Sequence, residues 1–103
     1  MALAEVSVVP IGTGNTSVSR YVAQAVKVLE REKDVSYTLT GMGTIIEGDL
    51  DRLFDVIKRM HQSVIDAGAL RVYTVIKIDD RRDKPSTAEK KVESLKQALE
   101  HDS

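Results

Sequence analysis

Three groups of side chains have the types and the spacing to hold a ligand. The first is Gly12-Thr13-Gly14-Asn15-Thr16-Ser17, a small polar loop that runs into a helix-like segment and carries hydroxyls at Thr13, Ser17 and Ser19. Free N–H groups and the positive end of a helix dipole favour an anion at such a place. The loop lacks the lysine and the spacing of a P-loop and is not GxGxxG, so a well-capped turn is the competing reading. The second group is the central stretch Tyr37–Gly48, in which two β-prone runs meet at Gly41-Met42-Gly43. Thr40 and Thr44 offer hydroxyls, Gly41 and Gly43 offer positive φ or close main-chain approach, and Tyr37 and Met42 offer a ring and a sulfur to a flat heterocycle. Turn or core packing would use the same two side chains. Glu47, beside Gly48, can accept a hydrogen bond from an amino group or face a positive charge, or it can be a solvated strand-end carboxylate. Ile45 and Ile46 are both apolar, so the strand's parity, and with it the direction of Glu47, stays open. The third group, Asp79-Asp80-Arg81-Arg82-Asp83-Lys84, alternates in sign and reads as a solvated, self-paired connection rather than a metal cluster or a basic patch.

Several chemistries are excluded or disfavoured. No cysteine is present, so disulfides, thiolate catalysis and Cys-ligated metal are ruled out. His61 falls on an apolar helical stripe and His101 near the C-terminus, neither with a second ligand at metal spacing, so no metal is expected. Ser17 and Ser19 have no histidine near them in sequence, and no catalytic residue is assigned. With 15 Lys+Arg against 16 Asp+Glu, the net charge of −1 exerts no pull on nucleic acid. Aromatics make up 4%, too few for a base-stacking sheet, so nucleic acid is not an expected partner. No apolar run reaches the ~18 residues of a membrane span, and the first residues lack a signal peptide's pattern, so a cytoplasmic location is the expectation and a membrane partner is not.

The elements that must position these groups follow from periodicity. Residues 2–11 alternate, with Ala4, Val6 and Val8 on one parity and Leu3, Glu5, Ser7 and Val9 on the other, until Pro10 ends the strand. Val18, Tyr21, Val22, Ala25, Val28 and Leu29 have helical spacing, with Asn15, Thr16 or Ser17 as candidate N-caps. Strand-like runs at 35–40 and 44–47 flank the hairpin. A second helix carries Leu50, Leu53, Phe54, Ile57, Met60, His61 and Val64 on one stripe, starts at Asp49 and stops at Gly68. Residues 70–79 alternate again. Ser86 and Glu89 form a capping-box pattern opening a C-terminal helix over 86–101, whose stripe (Ala88, Val92, Leu95, Leu99) is thin. The order β-α-β-β-α-β-α predicts an α+β, ferredoxin-like βαββαβ sandwich across residues 1–103, a single domain: a four-stranded antiparallel sheet with two helices on one face. The other face, with Glu5, Ser7 and Val9, is too apolar to be wholly wet.

Pro10-Ile-Gly-Thr-Gly-x-Thr-Ser17-Val-Ser19, Tyr21-Val22, Tyr37-x-Leu39, Met42-Gly43-Thr44-x-Ile46-Glu47-Gly48 and Arg71-Val72-x-Thr74-x-Ile76-Lys77-Ile78-Asp79-x-Arg81 with Asp83-Lys84 occur in that order. Together they resemble the thiamine-binding (YkoF-like) family, over roughly residues 6–92. The resemblance implies a small ferredoxin-like subunit that forms dimers and often tetramers. It also implies a ligand such as thiamine or its hydroxymethylpyrimidine part. The expectation is therefore a non-catalytic oligomer that binds thiamine or a related pyrimidine. The ligand would lie near Gly12, Thr13, Ser17 and Ser19 and near Tyr37, Thr40, Met42, Gly43, Thr44 and Glu47. Self-association as a homodimer or homotetramer would use the open sheet face and the edge strand. The alternative is a structural or regulatory oligomer with no ligand in this site.

Overall fold

The computed structural model describes residues 1–83 and 87–101. Its elements run β1 (Ala2–Pro10), α1 (Ser19–Glu30), β2 (Ser36–Leu39), β3 (Thr44–Gly48), α2 (Leu50–Asp66), β4 (Val72–Asp79) and α3 (Ala88–His101). All strand pairs are antiparallel and the sheet order is β2-β3-β1-β4, the ferredoxin-like arrangement. The last strand begins at Val72 rather than at Leu70, which is fully exposed.

Alternation in β1 sorts the two faces. Ala2, Ala4, Val6 and Val8 are buried beneath the helices, and Leu3, Glu5, Ser7 and Val9 point to the other side. The register Ala4↔Ile46 and Glu5↔Ile45 then settles β3: Ile46 is fully buried, and Ile45 and Glu47 lie on the open face. Leu29 and Ala25 from α1 and Leu53, Val56, Ile57, Met60 and Val64 from α2 close the core over this surface. Phe54 departs from the expected α2 stripe and is half exposed, while Val56 is buried in its place. The stripe centres on Leu53, Ile57, Met60 and Val64, and one residue step of about 100° carries Phe54 to its flank. His61 is half-buried, with Nδ1 2.7 Å from Thr74 Oγ1, a packing role.

Helix ends follow the expectations in part. Gly68 takes φ +114 just after the C-cap Ala67, a conformation natural to glycine. Asp49 occupies the α2 N-cap position without a side-chain cap bond. For α1 the cap is Val18, not Asn15, Thr16 or Ser17. Asn15 Oδ1 instead accepts the Ser17 N–H at 2.9 Å, folding the loop on itself. In the central hairpin Gly41 has ordinary φ and open space around it, so only Gly43 carries the close approach.

An ion cluster joins the end of α1 to α2. Arg52 bonds Glu32 (2.5 Å), Asp34 (2.8 Å) and Asp55 (2.7 Å), and Arg59 pairs with Glu32 and Asp55. The Arg52 hydrogen bond holds the Asp34 carboxyl below its ordinary value of 3.8. A folded-state pKa below the unfolded one stabilises the fold above about pH 4, and that contribution fades as pH falls through the folded value. Asp34→Asn should therefore lower stability more at pH 7 than at pH 2. Urea denaturation at both pH values checks this.

The third helix is attached through its first turn. Glu47 Oε1 accepts the Ala88 N–H at 2.7 Å, and Thr87 Oγ1 accepts the Lys90 N–H at 3.1 Å. Both satisfy amides that a helix N-terminus leaves unpaired, and the carboxylate also suits the positive end of the dipole. Lys91 pairs with Asp79. The expected capping residue Ser86 lies outside the described residues; Thr87 is the cap seen. No described residue of α3 is buried. Among the described residues no helix is long and apolar enough to cross a membrane.

Candidate functional site

The site follows from a mismatch in strand length. β1 runs on to Pro10, but its neighbour β3 begins only opposite Val6, where Thr44 pairs. Beyond that point the hairpin turns back toward β2. Thr40 holds the turn: its N–H reaches Gly43 O at 2.9 Å, and its Oγ1 donates to the same oxygen at 2.7 Å. The hydroxyl also accepts from the N–H groups of Met42 (3.3 Å) and Gly43 (3.1 Å). Gly43 passes so close to β1 that a Cβ there would sit 2.9 Å from the Val6 carbonyl oxygen.

Over this gap lies the N-terminal half of α1, with valines and alanines where α2 has leucine, isoleucine and methionine. Val18, Val22, Ala23 and Val26 do not reach down far enough to fill the space. A cavity of about 530 Å³ results, between α1, β1 and the hairpin. That volume falls in the range of small-molecule sites, and the mostly apolar walls match their usual chemistry. Val8, Leu39 and Met60 complete the apolar part.

The polar groups on the wall are few. Ser19, Thr40, Met42, Gly43 and Thr44 line the cavity, as do Lys27 and Glu30 from α1. Thr44 is 5% exposed, and its hydroxyl is not sealed in the core: among the described residues no fully buried side-chain polar atom lacks a hydrogen-bond partner. A hydroxyl on the wall of a mostly apolar cavity can meet water or the polar edge of a ligand.

The remaining candidate residues lie elsewhere. Gly12, Thr13 and Ser17 form the exposed loop before α1, with Gly12 at φ +80 and Thr13 Oγ1 donating to Asn15 O at 3.1 Å. Ser17 Oγ stands 3.3 Å from Ser19 Oγ, which links this loop to the cavity wall. Tyr37 shares the helix-side face of β2 but is not on the wall. Glu47 requires a correction: strand parity sends it to the opposite face of the sheet, where it caps α3. The residues that sequence reading passed over are the wall valines, Val8 and Leu39. The available signal was the run of small β-branched side chains on one helix facing bulky ones on the other.

Among the described residues no group of three or more His, Asp or Glu side chains is placed to hold a metal.

Comparison with known proteins agrees with this architecture. A family model described as thiamine-binding protein matches residues 4–96. A UPF0045 protein of Methanothermobacter thermautotrophicus is 48% identical over 100 residues, covering 96% of this chain and all of the relative. A UPF0045 protein of Bacillus subtilis is 48% identical over 103 residues, covering 97% and 99%. The crystal structure of a hypothetical protein from Methanocaldococcus jannaschii superposes with a TM-score of 0.84 at 39% identity, covering 91% of this chain and 94% of that one. The chain therefore belongs to the thiamine-binding protein family, on the branch of the small UPF0045 proteins.

Proposed function

We propose that this protein is a non-catalytic binding protein for thiamine or a related pyrimidine, held in the cavity between α1, β1 and the central hairpin. One observation carries the reading: a mostly apolar cavity of about 530 Å³ whose wall includes Thr44 and the hairpin main chain. Family membership supports the ligand class. Apolar walls would enclose the ring, and Thr44 with the hairpin main chain would hold its polar edge. Ser19 and Met42 stand at the wall nearest the Gly12–Ser17 loop and at the hairpin tip. Glu47 leaves the proposed ligand set, because its carboxylate is engaged with α3.

Thr44→Val tests this with a near-isosteric change. Replacing the hydroxyl by a methyl should change the stability of the free protein by no more than ~1 kcal/mol. Thiamine or pyrimidine affinity should fall about tenfold, the scale of one lost hydrogen bond. Calorimetric titration with thermal melts reads both. Equal affinity in the two proteins would remove Thr44 from the site.

A second reading, self-association, has its own support. Val92, Leu95 and Leu99 are 52%, 61% and 62% exposed on one stripe of α3, and Val92 also lines a groove of about 520 Å³ together with Thr38 and Ile45 of the open sheet face. Their 4-3-4 spacing from Ala88 is that of a coiled-coil seam, and in an antiparallel pair Glu89 of one copy would meet Lys96 of the other. A second copy would cover this stripe and face. Light scattering should then give a multiple of the 11.4 kDa chain mass, and Leu95→Lys with Leu99→Lys should reduce it. A monomeric wild type would contradict the reading.

A further inference from the structure

The main chain of β1 offers a hydrogen-bonding edge inside the cavity. Odd residues of β1 turn their N–H and C=O groups toward β4: Ile11 N–H bonds Arg71 O at 2.8 Å, and Val9↔Tyr73 continues the same register. Alternation turns the groups of even residues the other way, toward β3. The Val6 carbonyl oxygen, close against Gly43, shows that direction. Val6 is the last even residue with a β3 partner, because β3 begins at Thr44. Val8 comes next. It is buried, it lines the cavity, and among the described residues no turn or loop group bonds its N–H or C=O. A buried amide pair needs a partner from water or from a bound molecule.

Resting on the reading of this cavity as a small-molecule site, we infer that Val8 is its recognition edge. The ligand it selects is a planar, phosphate-free ring with a hydrogen-bond acceptor beside a donor on one edge. The Val8 N–H donates to the ring acceptor, the Val8 carbonyl accepts from the ring donor, and the Thr44 hydroxyl serves a further polar atom. Strand spacing places the two Val8 groups side by side in one plane, which a flat ring can meet edge-on while the valines cover its faces. Charge argues against a phosphate. Among the described wall residues the ionisable ones are Lys27 and Glu30, one turn apart and opposite in sign, so a dianion finds no net positive field.

The experiment uses the full chain and amide hydrogen exchange by NMR. The probes are 4-amino-5-hydroxymethyl-2-methylpyrimidine, its 4-dimethylamino analogue and its monophosphate. The amino compound should slow exchange of the Val8 N–H at least about tenfold at saturation, and the other two should bind about tenfold more weakly or worse. Val8→Pro gives a second route. It deletes an N–H that points away from β4, and Pro10 already occupies an equivalent position two residues on. Affinity should drop while the β4 pairing persists. Binding that weakens with Thr44→Val but leaves Val8 exchange unchanged, with no discrimination against the dimethylamino ring, would overturn this inference and leave the cavity reading standing. Binding by none of the probes, nor by thiamine, would overturn both.

Discussion

Ile46→Ala is expected to destabilise the protein by about 2–5 kcal/mol, whereas Ile45→Ala should cost less than about 1.5 kcal/mol. The two residues are chemically identical neighbours, and only strand parity separates them. Ile46 is fully buried, opposite Ala4 and beneath α2, so truncation removes its buried surface and leaves a cavity that the surrounding core closes only in part. Ile45 lies on the open face opposite Glu5, at the edge of the groove beneath α3. Urea denaturation of both variants gives the contrast directly. Equal losses would mean that the register of β3 is shifted by one residue, which would also return Glu47 to the helix side.

Gly43→Ala carries the second large effect, and it reaches both stability and binding. The added methyl would lie 2.9 Å from the Val6 carbonyl oxygen, a main-chain atom that cannot swing aside. The hairpin must move off β1 by several tenths of an ångström, at a cost of about 1–3 kcal/mol. The same shift displaces Thr44 and changes the mouth of the cavity, so thiamine or pyrimidine affinity should fall with it. Gly41→Ala is the control: a Cβ there meets nothing within 4 Å, and its backbone has ordinary φ. Melting temperatures and titrations of the two variants should separate cleanly. A Gly41→Ala protein as damaged as Gly43→Ala would point to a general intolerance of the turn.

The fold was legible because its signals are periodic and redundant. Alternation in residues 2–9, the Leu53–Ile57–Met60–Val64 stripe and the Gly68 stop each agree with the same element order. The site was legible only in part. Thr40, Gly43 and Thr44 stood out because a hairpin between two β-prone runs needs its turn residues, and the structure places all three on the cavity wall. Glu47 could not be placed, since Ile45 and Ile46 are equally apolar and parity depends on pairing with β1, a contact between distant parts of the chain. Val8 was hidden for a related reason. Its side chain reads as ordinary core, and the feature that matters is its main chain, left without a neighbour where β3 stops short. Such an edge is a property of relative strand lengths, which no local pattern records. Phe54 shows the reverse case: a large aromatic at helical spacing that nevertheless falls on the flank of its stripe.

The position of the ligand can be read from an NMR titration of the intact chain with thiamine and its hydroxymethylpyrimidine part. The largest amide shifts should fall on Val8, Val18, Val22 and Thr40–Thr44, residues of the α1, β1 and hairpin wall. Shifts concentrated instead at Glu47, Ile45 and the first turn of α3, or confined to Gly12–Ser17, would contradict this placement.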